Sequence, residues 1–111
     1  MKASLYTRDA RKDVAQVGGF SLQLYISGDT LSSRRAKDNL ARLREREPIS
    51  SWPVEVIDVL AEPQRAEEAG ILATPTLSYD HPASPKRIVG DLSDTNRILR
   101  FLGIAAKDEK Q

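Results

Sequence analysis

The ten residues 71–80, ILATPTLSYD, decide the fold of this chain. They place a Thr-Pro step directly before a run of β-forming residues, which predicts a buried strand that begins at a proline. Strands of this kind lie beside reactive loops in proteins that handle thiols, yet none of the 111 residues is a cysteine. Disulfides, thiolate catalysis, thiol–disulfide exchange and cysteine metal sites are therefore excluded.

The sequence before this stretch predicts two strands joined by a helix. Alternating apolar residues over 20–27 predict a first strand, and apolar residues at helical spacing, starting at Leu31, predict a helix from 31 to 47. Asp29 or Thr30 is expected to cap this helix. Residues 52–60 are mostly β-branched or apolar, so they predict a second strand in a central position.

The sequence after the second strand predicts two further helices and two further strands. Pro63 near the start and Gly70 after the end delimit a short helix. The third strand lies in the opening stretch, and a loop with two prolines leads into a fourth strand at 86–90 by a hairpin. The last helix is expected to be capped by Ser93, with Asp94 in its first turn.

This order, β-α-β-α-β-β-α, predicts an α/β fold of the thioredoxin-like class, with a mixed four-stranded sheet and helices on both faces. The two β-α-β connections are expected to make the first strands parallel, and the short hairpin makes the last pair antiparallel. In that fold Thr74-Pro75 matches the position of a cis-proline, so we expect Pro75 to follow a cis bond. Ser32 and Ser33 stand near the positions of the redox thiols, and we interpret them as residues that satisfy free helix amides.

Composition narrows the classes of function. The net charge is +1, with 17 basic and 16 acidic residues, which argues against a nucleic-acid binder. The single histidine, His81, argues against a histidine metal site and against histidine catalysis, and no metal or cofactor is expected. No apolar run reaches the length of a signal peptide or membrane span, so a cytoplasmic protein without membrane contact is expected. The predicted organisation is a flexible arm at 1–19, one domain at 20–104 and a polar tail at 105–111.

Three segments resemble the KaiB family of circadian clock proteins. They are LQLYISG at 22–28, VEVIDVLAEPQRAEEAGILATPTL at 54–77 and KRIVGDLSD at 86–94. The resemblance covers about residues 20–99. It implies a non-enzymatic regulator that binds KaiC, a hexameric RecA-like ATPase and autokinase, and modulates its phosphorylation or ATPase cycle.

The resemblance also implies which residues contact the partner. Arg35, Lys86 and Arg87 match basic positions of the family. Gly70 stands where the family has a lysine associated with KaiC binding, and Glu55 reverses the charge of a lysine on the second strand. Arg35 could equally be solvated helix surface, and Lys86 with Arg87 could serve to keep an edge strand soluble.

Members of the family exchange a tetrameric ground fold for a monomeric thioredoxin-like fold, and only the latter binds KaiC. This chain has Phe101 where the family has a glycine, and Phe101 with Gly103 is expected to decide between the folds. Because glycine disfavours a helix by roughly 1 kcal/mol, the phenylalanine favours the thioredoxin-like state. The sequence does not decide between a monomer and a homo-oligomer, either a dimer or a tetramer.

These departures from the family pattern keep a second function open. The alternative to a KaiC regulator is a redox-inactive thioredoxin-like adaptor, or a stress-related chaperone, that no longer acts on KaiC.

Overall fold

A computed structural model describes residues 21–80 and 85–104 of the chain. The predicted arm with Phe20, the loop at 81–84 that contains His81, and the tail at 105–111 lie outside the described residues. Four strands and three helices follow in the predicted order: β1 Leu22–Ile26, α1 Leu31–Leu43, β2 Val54–Asp58, α2 Pro63–Ala69, β3 Thr76–Tyr79, β4 Lys86–Val89 and α3 Thr95–Phe101. A 3-10 turn, Ile49–Ser51, precedes β2. None of the helices in this described part is long and apolar enough to cross a bilayer.

The strands form one mixed sheet in the order β2-β1-β3-β4. β1 and β2 are parallel, whereas β3 is antiparallel to both β1 and β4. The mixed four-stranded sheet is confirmed, but two details of the prediction are wrong. β2 is an edge strand, with Glu55 and Val56 exposed, instead of a central one. β3 also runs opposite to β1 instead of parallel to it.

The direction of β3 follows from where it begins. The chain leaves β2 at its carboxyl end, and the seven residues of α2, about 10 Å long, lie in the crossing to the other side of β1. β3 starts beside the carboxyl end of β1 and therefore runs antiparallel to it. Its first residue, Thr76, pairs with Tyr25 near the end of β1.

The main hydrophobic core lies between one face of the sheet, the core face, and helices α1 and α3. Alternate residues of β1 point into it, as the period of a strand requires. Its buried members are Leu22, Leu24, Ile26, Ala36, Leu40, Leu43, Ile49, Trp52, Leu77, Tyr79, Ile88, Leu92, Ile98, Leu99 and Leu102. Leu31, counted in the predicted apolar stripe of α1, is instead 55% exposed as the first residue of the helix.

The opposite face of the sheet, the α2 face, is covered by helix α2. Arg65 of α2 binds Glu55 on β2, and Arg87 on β4 donates to carbonyls at the other end of the helix. The helix therefore crosses this face from one edge of the sheet to the other. Tyr25 and Ile57, which pair across β1 and β2, are buried here outside the main core.

Helix ends differ from prediction at two places. α1 is capped by Thr30, which accepts a hydrogen bond from the amide of Ser33, and it ends at Leu43 instead of residue 47. The chain turns there so that Ile49, fully buried in the 3-10 turn, can enter the core. Ser93 does not cap α3. The cap is Asp94, whose carboxylate accepts from the amide of Arg97 at 3.1 Å.

Candidate functional site

Three of the five predicted partner-binding residues lie together on the α2 face. The carboxylate of Glu55 accepts two hydrogen bonds from the guanidinium of Arg65, one of them 2.9 Å long. Glu62 lies 3.5 Å from the same guanidinium. Hydrogen bonding to Glu55 is the main reason that the pKa of Arg65 is raised above its usual value. The negative charge of Glu55 is thus balanced within the molecule.

Gly70 and Arg87 meet at the C-terminal end of α2. Gly70 adopts the left-handed conformation, with φ of 72°, that ends many helices, and the amide of Ile71 bonds back to the carbonyl of Ala66 at 2.9 Å. The guanidinium of Arg87 donates to the carbonyls of Ala69 and Gly70. A cation is favourable at this position because it faces the negative end of the helix.

Lys86 and Arg35 lie away from this cluster. Lys86 pairs with Tyr79 in the sheet and therefore belongs to the core face at the edge of β4. Arg35 is exposed on α1, the helix that packs on that core face. The five predicted residues are consequently divided between the two sides of the sheet.

Pro75 lies at the carboxyl end of β1, and the Thr74–Pro75 bond is cis, the configuration implied by its place in the fold. Hydroxyl groups are linked by hydrogen bonds around this end of the sheet. Ser27 Oγ and Thr74 Oγ1 are 2.6 Å apart, and Ser33 Oγ accepts from the amide of Ser27 at 3.0 Å. Ser33 is fully buried, so its hydroxyl completes the hydrogen bonding of the loop. Ser32, by contrast, is exposed.

Asp58 joins the two loops at this end of the sheet, a role that the sequence did not indicate. One carboxylate oxygen accepts from the amides of Gly28 at 2.9 Å and Leu60 at 3.0 Å. The bond from Gly28 is the main reason that the pKa of Asp58 is lowered. This role of Asp58 can be recognised only once the pairing of β1 and β2 is known, because that pairing brings its carboxylate next to the loop after β1.

The lowered pKa of Asp58 predicts a dependence of stability on pH. Because the folded protein favours the ionised form, this contribution is complete above the unfolded pKa of about 4 and is lost as pH falls through the lower folded pKa. Urea unfolding of the wild type and of Asp58→Asn measures it. We expect the difference in stability between them to be clear at neutral pH and to shrink below about pH 4. A difference that is the same at both pH values would contradict this role.

The two predicted fold-state residues lie at the end of α3. Phe101 is its last residue and packs against the ring of Tyr79, with centroids 6.0 Å apart. Gly103 has φ of 79°, and the amide of Ile104 bonds to the carbonyl of Leu99 at 2.8 Å. This pattern, together with the partly buried Ile104, is a Schellman ending that stabilises the helix.

Three leucines at the carboxyl end of the sheet are exposed, and the apolar patterns of the sequence had included two of them, Leu31 and Leu60. Leu31 opens α1, Leu60 follows β2, and Leu72, in the connection before Pro75, is 98% exposed. Across residues 21–80 and 85–104, no three His, Cys, Asp or Glu side chains lie close enough together to hold a metal ion.

Comparison with known proteins identifies a family. A family model described as the KaiB domain matches residues 23–104. A circadian clock oscillator protein KaiB from Synechococcus sp. strain RCC307 is 48% identical over 80 residues, which are 72% of this chain and 73% of that protein. The circadian clock protein KaiB3 from Synechocystis sp. strain PCC 6803 is 43% identical over 83 residues, covering 75% and 81%.

Solved structures confirm the thioredoxin-like fold. The Trxlp protein of Edwardsiella tarda superposes with a TM-score of 0.70 at 16% identity, over 85% of this chain and 92% of that one. Mitochondrial thioredoxin 3 of Saccharomyces cerevisiae gives a TM-score of 0.67 at 14% identity, over 86% and 87%. At such identities the likeness concerns the fold alone.

Proposed function

The chain belongs to the KaiB family, and we propose that it is a non-enzymatic regulator that binds a KaiC-type RecA-like ATPase and modulates its phosphorylation or ATPase cycle. One observation carries the proposal: the KaiB domain match spans 23–104 and so includes every residue expected to contact the partner. Relatives of similar length are named as circadian clock proteins, which fits a role in timing. The regulator would act in the cytoplasm without a cofactor.

Docking is proposed to use charges that are not already paired within the chain. Within the described part of the molecule, the side chains of Arg35 and Lys86 have no ion-pair or hydrogen-bond partner, and both residues are exposed. Charges at the rim of an interface guide association and discriminate between partners. Acidic groups on the ATPase would therefore contact Arg35 and Lys86. Arg87 would contribute indirectly, because its hydrogen bonds to the end of α2 help to shape the α2 face.

Direct binding tests the proposal. The purified full chain is titrated, with nucleotide present, against the KaiC-type ATPase of the same organism. We expect a Kd on the order of 1 µM or tighter, and an Arg35→Ala variant that binds about fivefold to tenfold more weakly. Arg97→Ala removes the same charge from an exposed position on α3 and serves as the matched control. Its binding should stay close to that of the wild type.

The redox-inactive adaptor or chaperone is the second candidate, and the α2 face favours it. Glu55 is neutralised by Arg65, and Gly70 offers no side chain, so two of the expected contacts supply no free charge. Absence of binding at tens of micromolar would support this candidate. Suppression of a client protein's aggregation at a near-stoichiometric ratio would then be the positive test.

A further inference from the structure

Helix α2 differs from the other two helices in how it is held. α1 buries Ser33, Ala36, Leu40 and Leu43, and α3 buries Ile98 and Leu99. None of the seven residues of α2 is buried, and its least exposed members are only half-buried. Burial of its own apolar side chains, which fixes α1 and α3 to the sheet, therefore contributes little to the position of α2, and the apolar contact available to it comes from the sheet residues it faces.

Polar contacts from two arginines hold α2 at both edges of the sheet. At the β2 edge Arg65 of the helix forms a forked pair with Glu55, the geometry in which a surface ion pair is strongest. At the β4 edge Arg87 of the sheet donates to the carbonyls of Ala69 and Gly70. We call these contacts the two arginine latches.

Two buried residues lie on the face of the sheet that α2 covers. Tyr25 is 6% exposed and Ile57 is fully buried, yet neither is part of the main core on the other side of the sheet. Burial raises the pKa of Tyr25, and the positive charges of both latch arginines act on its hydroxyl group in the opposite direction. Movement of α2 would consequently uncover an apolar site without disturbing α1, α3 or the main core.

We propose that α2 is a hinged cover over Tyr25 and Ile57, kept closed by the two arginine latches and able to open as a unit while the rest of the domain stays folded. Gly70 at the C-terminal end of the helix suits such a motion, because a glycine can absorb a change in backbone angles without a steric penalty. Both latches are exposed polar contacts, so salt and acidic groups compete with them. The inference does not depend on the identity of the binding partner.

Amide hydrogen exchange of the full chain, without any partner, tests the cover. The reporters are the amides of Gly70 and Ile71, whose bonds within α2 are lost because a seven-residue helix does not persist away from the sheet, and that of Ile104, which bonds within the end of α3. Arg65→Met and Arg87→Met each remove one latch while they keep an apolar stem. We expect exchange at the α2 reporters to rise about tenfold in each variant and about a hundredfold in the double variant, with the α3 reporter unchanged.

Two controls keep the test decisive. Arg97→Met changes an arginine outside the latches and should leave all three reporters as in the wild type. The exchanged pair Glu55→Arg with Arg65→Glu restores the first latch and should restore slow exchange. Equal acceleration at Ile104 in the double variant, or α2 exchange within twofold of the wild type, would overturn the proposal.

Discussion

Replacement of Leu77 by alanine is expected to lower the free energy of unfolding by about 3–5 kcal/mol. Leu77 is fully buried in β3, where it pairs with Leu24 on one side and Ile88 on the other. Its loss leaves a cavity at the centre of the sheet, which packed neighbours cannot fill completely. Domains of this size have a total stability of about 5–15 kcal/mol, so the variant would keep only part of it.

Leu72→Ala is the matched control for this change. It deletes the same atoms from a side chain that is 98% exposed, so we expect a change within about 0.5 kcal/mol. Urea unfolding followed by circular dichroism compares the two variants directly. Similar losses in both would show that burial does not govern their stability. If Leu72→Ala alone weakened binding of the ATPase, the exposed leucines would belong to the docking surface.

Replacement of Phe101 by glycine is expected to destabilise the thioredoxin-like state by about 2–3 kcal/mol. Glycine costs roughly 1 kcal/mol in a helix, and the half-buried ring contributes about as much again or more through its burial. Contact with Tyr79 is lost as well. The change thus acts directly on the residue that we expect to favour this fold over an alternative one.

An NMR spectrum of the Phe101→Gly variant is the appropriate measurement. We expect a second, slowly exchanging set of peaks from the C-terminal half, and a single set in the wild type. Phe101→Leu, which keeps an apolar helix former, should resemble the wild type. Two sets of peaks in the wild type itself would contradict the role assigned to Phe101. Loss of stability without a second set would show that no alternative fold is accessible.

Local patterns in the sequence were sufficient for most of the fold. Pro63 and Gly70 delimit α2 as predicted, and Thr30 caps α1. Trp52, at the start of the predicted second strand, is buried and stacks on Tyr79 with ring centroids 5.6 Å apart. These features depend on residues a few positions apart, which is why periodicity and capping rules find them.

Features that depend on the order of the strands were not predictable in this way. The apolar pattern of β2 suggested a central strand, but β3 lies on the other side of β1 and leaves β2 at the edge. The pairing of Glu55 with Arg65 and the donation from Arg87 to the end of α2 join residues ten to eighteen positions apart. Sequence identified Glu55, Gly70 and Arg87 individually. Only the structure shows that all three lie around one helix.

The placement of β1 in the sheet also has a consequence for the synthesis of the chain. β1 is flanked by β2 and β3, and its residue Tyr25 pairs with Thr76. A nascent chain that has emerged only as far as β2 therefore carries β1 with one edge unpaired, and non-local pairing of this kind is slow to form. The second edge of β1 can pair only after β3 has left the ribosome. Folding of this domain therefore follows the synthesis of its C-terminal part.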